Sequence, residues 1–209
     1  MSSNDFGYNP RLPEDIREIF MWLCQDVASL QNKWSFYLGL FSSQENAALL
    51  SDLARSSFQI IEESLRDDMT MAISRLSDPP RSKKGKDNLS LKTLVQQCGR
   101  ADSVLELLMD FIGACEPVRK YRNKRVGHND LNTTIKPRDN PLPGVGRGQI
   151  DRVLQLASAI LNTIYQRFVD GELIFAPIQI GDADTLIYWL KMAKEHDETK
   201  NIVLKKSAD

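Results

Sequence analysis

The chain has 209 residues, 42% of them hydrophobic, which is enough for one domain with a real core. Its net charge of −1 excludes a surface that attracts polyanions as a whole, so any RNA or DNA contact has to come from a local patch. Three separated cysteines and two histidines form no Cys-x-x-Cys pair and no convincing zinc set. Cys24 and Cys115 fall on apolar helix faces and read as buried thiols in a reducing cytoplasm. No apolar run approaches membrane-spanning length, and the N-terminus carries no signal-peptide core. No cofactor motif is present: Gly-Val-Gly-Arg-Gly at 144–148 follows no buried strand.

Residues 1–12 are polar, with Gly7 and Pro10, and read as a flexible tail. Pro13, Glu14 and Asp15 then form a helix start, with carboxylates at the positive end of the dipole. Ile16, Phe20, Leu23, Val27, Leu30, Trp34, Leu38 and Phe41 recur at spacings of three and four. They predict a helix of about 40 Å at 1.5 Å per residue. After Ser42 and Ser43 a second long helix runs to Leu76, with Leu50, Ala54, Phe58, Ile61, Leu65, Met69 and Ala72 as its stripe. The short turn makes the pair antiparallel. Pro79 and Pro80 end it. Arg75 and Asp78, three apart, suit a local surface ion pair.

Residues 81–88 form a charged loop. A short helix covers 90–98 and Gly99 stops it. Ser103 and Glu106 fit a capping box for the next helix, and Pro117 inside its apolar pattern predicts a kink or break. Residues 131–148 are rich in proline and glycine and read as a long loop. Ile150, Val153, Leu154, Ala157, Ile160, Leu161, Ile164 and Phe168 define another helix, stopped near Gly171. An extended strap over 173–180 follows, then a last helix over about 184–196 and a polar, flexible tail at 200–209. The sum is an all-α bundle of five to six helices, one domain over 13–199.

Residues 119–130 hold the densest positive charge, with five Lys/Arg between Arg119 and Arg125, followed by His128. Such a cluster beside a group that titrates near neutrality suits chemistry on a phosphate ester: guanidinium holds phosphoryl oxygens and imidazole moves a proton. A plainer reading is also open, in which the cations answer the helix dipole and the histidine caps the last turn. The acidic pairs Glu62/Glu63 and Asp67/Asp68 lack the Glu-x-x-His partner of a dimetal bundle and read as solvated charge, so no metal site is assigned.

Arg122-Asn123-Lys124-Arg125-Val126-Gly127-His128 resembles the signature of the HEPN superfamily: an arginine, a polar residue, and a histidine after a short spacer. The segment at 73–79, Ile-Ser-Arg-Leu-Ser-Asp-Pro, is similar to one that ends the preceding helix in the abortive-infection AbiU-like branch. The resemblance implies a HEPN bundle, often homodimeric, and in many members a metal-independent endoribonuclease of phage defence or a toxin–antitoxin system, held by an antitoxin or other regulatory protein. Other members bind RNA, a nucleotide or a partner protein without catalysis.

RNA cleavage without metal needs a base, an acid and cations on the phosphorane, and one chain offers one good histidine. A two-fold axis supplies the second copy. The implied composite site takes His128 as base or acid, Arg122 as phosphate clamp and Asn123 as an orienting group. Arg119, Lys124 and Arg125 form an RNA-binding rim. Tyr121 stacks a base or packs, packing being the commoner role, and Arg75 supports the site. Residues six apart on an ideal helix point about 240° away from each other. Arg122 and His128 therefore share a face only if the helix ends or bends between them, which Gly127 permits.

Overall fold

The computed structural model describes residues 6–99, 101–126, 145–177 and 181–206. Six α-helices account for most of them: α1 (Glu14–Phe41), α2 (Gln44–Leu76), α3 (Leu91–Gln97), α4 (Asp102–Tyr121), α5 (Arg147–Tyr165) and α6 (Asp182–Lys206). A π-type turn (Arg122–Val126) continues α4. No strand occurs among the described residues; one isolated bridge joins Arg81 to Asp87 across the charged loop. The all-α expectation holds. The chain divides into two compact units, Met1–Gln31 with Asp67–Ala176, and Asn32–Arg66 with Pro177–Asp209.

In the first unit the apolar periodicity works as expected. Ile16, Phe20, Leu23, Val27 and Leu30 of α1 are buried, as are Phe111 of α4 and Ile160, Leu161 and Ile164 of α5. The Phe20 and Tyr165 rings stack with centroids 5.9 Å apart. α4 packs along α5, where the Gln149 amide donates to the Ala114 carbonyl and Arg152 pairs with Asp110 at 3.4 Å. Cys24 and Cys115 are buried free thiols, and burial raises the pKa of both.

Residues 6–12 depart from the expected tail. Gly7 has φ +86°, and a Cβ there would stand 2.6 Å from Cys24 Cβ, so only glycine lets the backbone lie against α1. Asn9 Nδ2 donates to Tyr165 OH at 2.9 Å, and Leu12 is 1% exposed. Turn residues mixed with Phe6, Tyr8 and Leu12 build a docked segment, and reading only its polarity missed that.

Two helix ends also differ. α4 begins at Asp102 with Ala101 as its N-cap, so Ser103 lies inside the first turn, where a capping box cannot form. Pro117 does not break α4, which runs on to Tyr121. α3 follows expectation: Ser90 Oγ accepts from Thr93 N at 3.3 Å, and Gly99 takes φ +77° after it.

In the second unit, residues 32–41 contact both halves of the segment 44–66, before and after the break at Ala54. Asn46 Nδ2 donates to the Gly39 carbonyl at 2.8 Å, and Tyr37 OH donates to Glu62 at 3.1 Å. The core is small: Leu40, Leu49, Leu50, Ala183 and Ile187, with Phe36, Phe41, Phe58 and Leu190 half-covering it. Ala54 leaves helical geometry at φ −160°, ψ 65°, and past this kink Ile61 is exposed rather than buried. The final helix continues through Lys206, beyond the expected end near His196 and into the expected tail. No described helix is long and apolar enough to cross a membrane.

Candidate functional site

The site grows out of the buried stripe of α4. Val104, Leu108, Phe111, Cys115 and Val118 are buried at alternating spacings of four and three. The next step of four lands on Arg122. The first arginine of the motif therefore stands where the pattern calls for another core residue. Its Nε is hidden from solvent and has no hydrogen-bond partner among the described residues. A buried polar group left so costs about 1–3 kcal/mol.

At Arg122 the helix also changes winding, from α to the π-type turn that ends at Val126. Such turns recur at functional sites because the widened ring re-aims the side chains that follow. Asn123 and Arg125 are exposed, while Tyr121 and Lys124 are half-buried. His128 lies outside the described residues.

Arg119 occupies a different environment from the other cations. Its Nη1 lies 2.9 Å from each of three acceptors: the Ser74 carbonyl, Ser77 Oγ and Asp78 Oδ1. Here Arg119, one turn ahead of the 122–128 motif, ties the motif helix to the recognised segment 73–79. The surface pairing expected between Arg75 and Asp78 is replaced by the Arg119–Asp78 ion pair, with both side chains 29% exposed. Arg75 is exposed on the last turn of α2. The cation of Arg119 also answers the free carbonyls and negative end of α2.

The sequence carried a signal for this junction that went unread. Thr70, Ser74 and Ser77 lie at i, i+4 and i+7 and are all buried. Small polar residues on a buried face allow close approach and then need partners. Ser74 Oγ donates to the Thr70 carbonyl at 2.8 Å, and Ser77 Oγ donates to the Ser74 carbonyl at 3.0 Å. Arg119 completes the set.

Two further groups belong to this cluster and were also missed. Burial pushes the Cys115 thiol up to about 12, against the lowering influence of Ser77, Arg119 and Lys92. Lys92, in the first turn of α3, is lowered below the usual lysine range by burial and then by Arg119, against the opposing pull of Asp78. The unfolded chain then holds this proton more tightly than the folded one. Lys92 therefore opposes folding at neutral pH, and stability rises as pH climbs from its lowered value to the ordinary one. Among the described residues, no group of three or more His, Cys, Asp or Glu side chains is placed to hold a metal ion.

An all-α fold whose motif helix ends in a half-buried arginine, docked by a second arginine on the preceding long helix, is of the HEPN type that the sequence resemblance implied. The chain belongs to the AbiU2 family of that type, whose family model matches residues 13–186. No curated protein and no solved structure matched the chain.

Proposed function

We propose that this protein is a metal-independent endoribonuclease acting in phage defence or a toxin–antitoxin-like system, with a composite site formed by two copies of the chain. The observation that carries the reading is the placement of Arg122. A guanidinium set on a core stripe, with its Nε unpartnered among the described residues, favours an anionic ligand over simple capping of a helix end. Family membership adds the reaction class.

In this reading Arg122 holds the phosphoryl oxygens and spreads the charge that builds on the phosphorane. One copy of His128 takes the proton of the 2′-hydroxyl as its oxygen attacks phosphorus. The other copy, as imidazolium, protonates the 5′-oxygen as the P–O5′ bond breaks. Asn123 orients the histidine or the substrate. Lys124 and Arg125 draw the RNA backbone, with Tyr121 and Arg75 at the edge of the same surface. Arg119 acts chiefly by fixing the motif helix. The chain works in the cytoplasm, restrained by an antitoxin or other regulatory protein.

The test is cleavage of RNA by the purified protein in EDTA, with His128→Ala and Arg122→Ala alongside. Products with 2′,3′-cyclic phosphate ends, absent with either variant, support the reading. Cleavage that needs added metal, or that persists in His128→Ala, overturns it. A folded dimer that binds RNA without cutting it points to the non-catalytic HEPN module.

A further inference from the structure

Away from the motif, the first unit contains an open groove of about 600 Å³ between α5 and the extended strap that follows Gly171. That volume suits a small-molecule or single-base site, which runs to roughly 300–1,000 Å³. Its walls are chemically unlike the basic stretch. None of the lining residues is Lys or Arg. The polar groups are the amides of Gln31, Gln155, Asn162 and Gln166, the hydroxyls of Ser158 and Thr163 and the carboxylate of Glu172, with Phe175 as the aromatic member. Thr163 is taken up by the Ala159 carbonyl, and Asn162 Nδ2 lies 3.4 Å from Glu172 Oε1, leaving the other carboxylate oxygen and the remaining lone pairs to a ligand.

Among the described residues the three glutamine amides have no side-chain hydrogen bonds, and Ser158 Oγ is hidden from solvent without a partner. The strap is pinned. Asn162 Oδ1 accepts from Leu173 N at 2.8 Å, and Asn162 Nδ2 donates to the Leu173 carbonyl at 3.0 Å. This fixes the backbone on which Glu172 and Phe175 are carried. The Phe175 ring is further held edge-to-face against Phe6, with centroids 5.4 Å apart.

A cation-free groove is a poor phosphate site. Free amides, each both donor and acceptor, beside an aromatic ring are the groups that read the edge and face of an unstacked base. The lone carboxylate selects among bases. Guanine presents its N1–H and 2-amino group as neighbouring donors that one carboxylate accepts together, while O6 and N7 accept from amides. Adenine places a ring-nitrogen acceptor opposite the carboxylate, and uracil offers a single donor. We infer that this groove binds a guanine base, with Glu172 accepting its Watson–Crick donors, Gln155 and Gln166 supplying amide contacts, and Phe175 stacking its ring. The inference rests on the ribonuclease reading only in naming RNA as the source of the base. The groove then sets sequence preference, separate from the phosphate chemistry at Arg122.

The experiment is calorimetric titration of the full chain with guanosine and with adenosine, repeated on Glu172→Gln and Gln155→Ala. Guanosine is expected to bind at least about tenfold tighter than adenosine, since a bidentate base contact is worth that order of discrimination. Glu172→Gln should erase the preference, and Gln155→Ala should weaken guanosine binding. Both residues are exposed, and an unchanged circular dichroism spectrum confirms folding. Equal binding of the two nucleosides, a preference untouched by Glu172→Gln, or no guanosine binding at millimolar concentration overturns the inference. A second arm titrates single-stranded RNA with one guanosine among uridines into the non-cleaving His128→Ala chain. Binding at least about tenfold tighter than free guanosine, and equally sensitive to Glu172→Gln, assigns the base to RNA. No gain over guanosine assigns a free guanine nucleoside. Cleavage in EDTA without any guanine effect sinks this inference and leaves the ribonuclease reading intact.

Discussion

The two units are built on different terms. The first buries whole aromatic and branched side chains and ties its helices with a largely sheltered arginine cluster. Phe20 and Phe111 are fully buried there, and Arg119 makes three polar contacts across α2 and α4. The second unit relies on a short cluster around Leu50 and on ion pairs at its surface, Lys191–Glu45 at 2.5 Å and Lys194–Asp52 at 2.9 Å. Both units leave single apolar side chains exposed, Met109 and Ile174 in the first and Ile60 and Trp189 in the second, so the contrast lies in the cores. Exposed ion pairs stabilise little, while buried area and satisfied buried polar groups stabilise much. The motif helix therefore lies in the part of the molecule best suited to hold an arginine in a fixed geometry.

The sharpest way to break this contrast is to truncate one aromatic residue in each unit. Phe111→Ala should cost about 3–5 kcal/mol, read as a fall in the urea midpoint at constant slope. Phe58→Ala, which removes a half-buried ring in the second unit, should cost less than half as much. Equal losses would mean that the second unit is packed as firmly as the first.

Next in size is the arginine that ties the motif helix to the segment 73–79. Arg119→Met keeps the aliphatic stem and removes the contacts to Ser74, Ser77 and Asp78. It should cost about 1.5–3 kcal/mol, the usual range for hydrogen bonds to a charged donor. Asp78→Asn should cost less, and the double variant should fall short of the sum, since the partners are coupled. If Arg119→Met also accelerates amide exchange at residues 73–78, the cluster holds the α2 terminus in place. Full additivity of the two changes would remove it from that role.

Much of this was legible because burial follows period. The stripe of α1 from Ile16 to Leu30, and that of α5, could be read directly as core. The motif could be read as well, because a run of cations and an arginine, polar residue and histidine at short spacing is a local pattern. What stayed hidden depended on long-range partners or on backbone geometry. Arg119 and Asp78 are 41 residues apart, and no periodicity links them. The kink at Ala54 falls in a run without proline or glycine, so no residue type announced it. Leu38 was expected inside and Leu40 is the buried one, packed with Leu49 and Leu50 and with Ala183 and Ile187, which come from an element distant in sequence. The docking of residues 6–12 turned on one close approach, that of Gly7 to Cys24, which composition cannot show. The groove beside Glu172 was missed for the same reason: its amides come from α1 and α5, its carboxylate and aromatic ring from the segment after Gly171, and only the fold assembles them.

The smallest expected effect lies in the ion pairs of the second unit, and it carries a pH signature. The hydrogen bond and charge of Lys191 hold Glu45 below the usual carboxylate range, and Lys194 does the same for Asp52. A lowered folded pKa adds stability above the ordinary carboxylate value, and that stability is lost as pH falls through the lowered value. Both carboxylates are exposed, so solvent and salt screen the effect. Lys191→Ala combined with Lys194→Ala should leave the urea midpoint at neutral pH within experimental error of the parent. The side-chain carboxyl titrations of Glu45 and Asp52, followed by NMR, should return to the ordinary range in the variant. In about 1 M salt, where screening acts over about 3 Å, the parent and variant titrations should draw together. A large loss of stability at neutral pH would reverse the comparison. It would make these pairs, rather than the small apolar cluster around Leu50, the main support of the second unit.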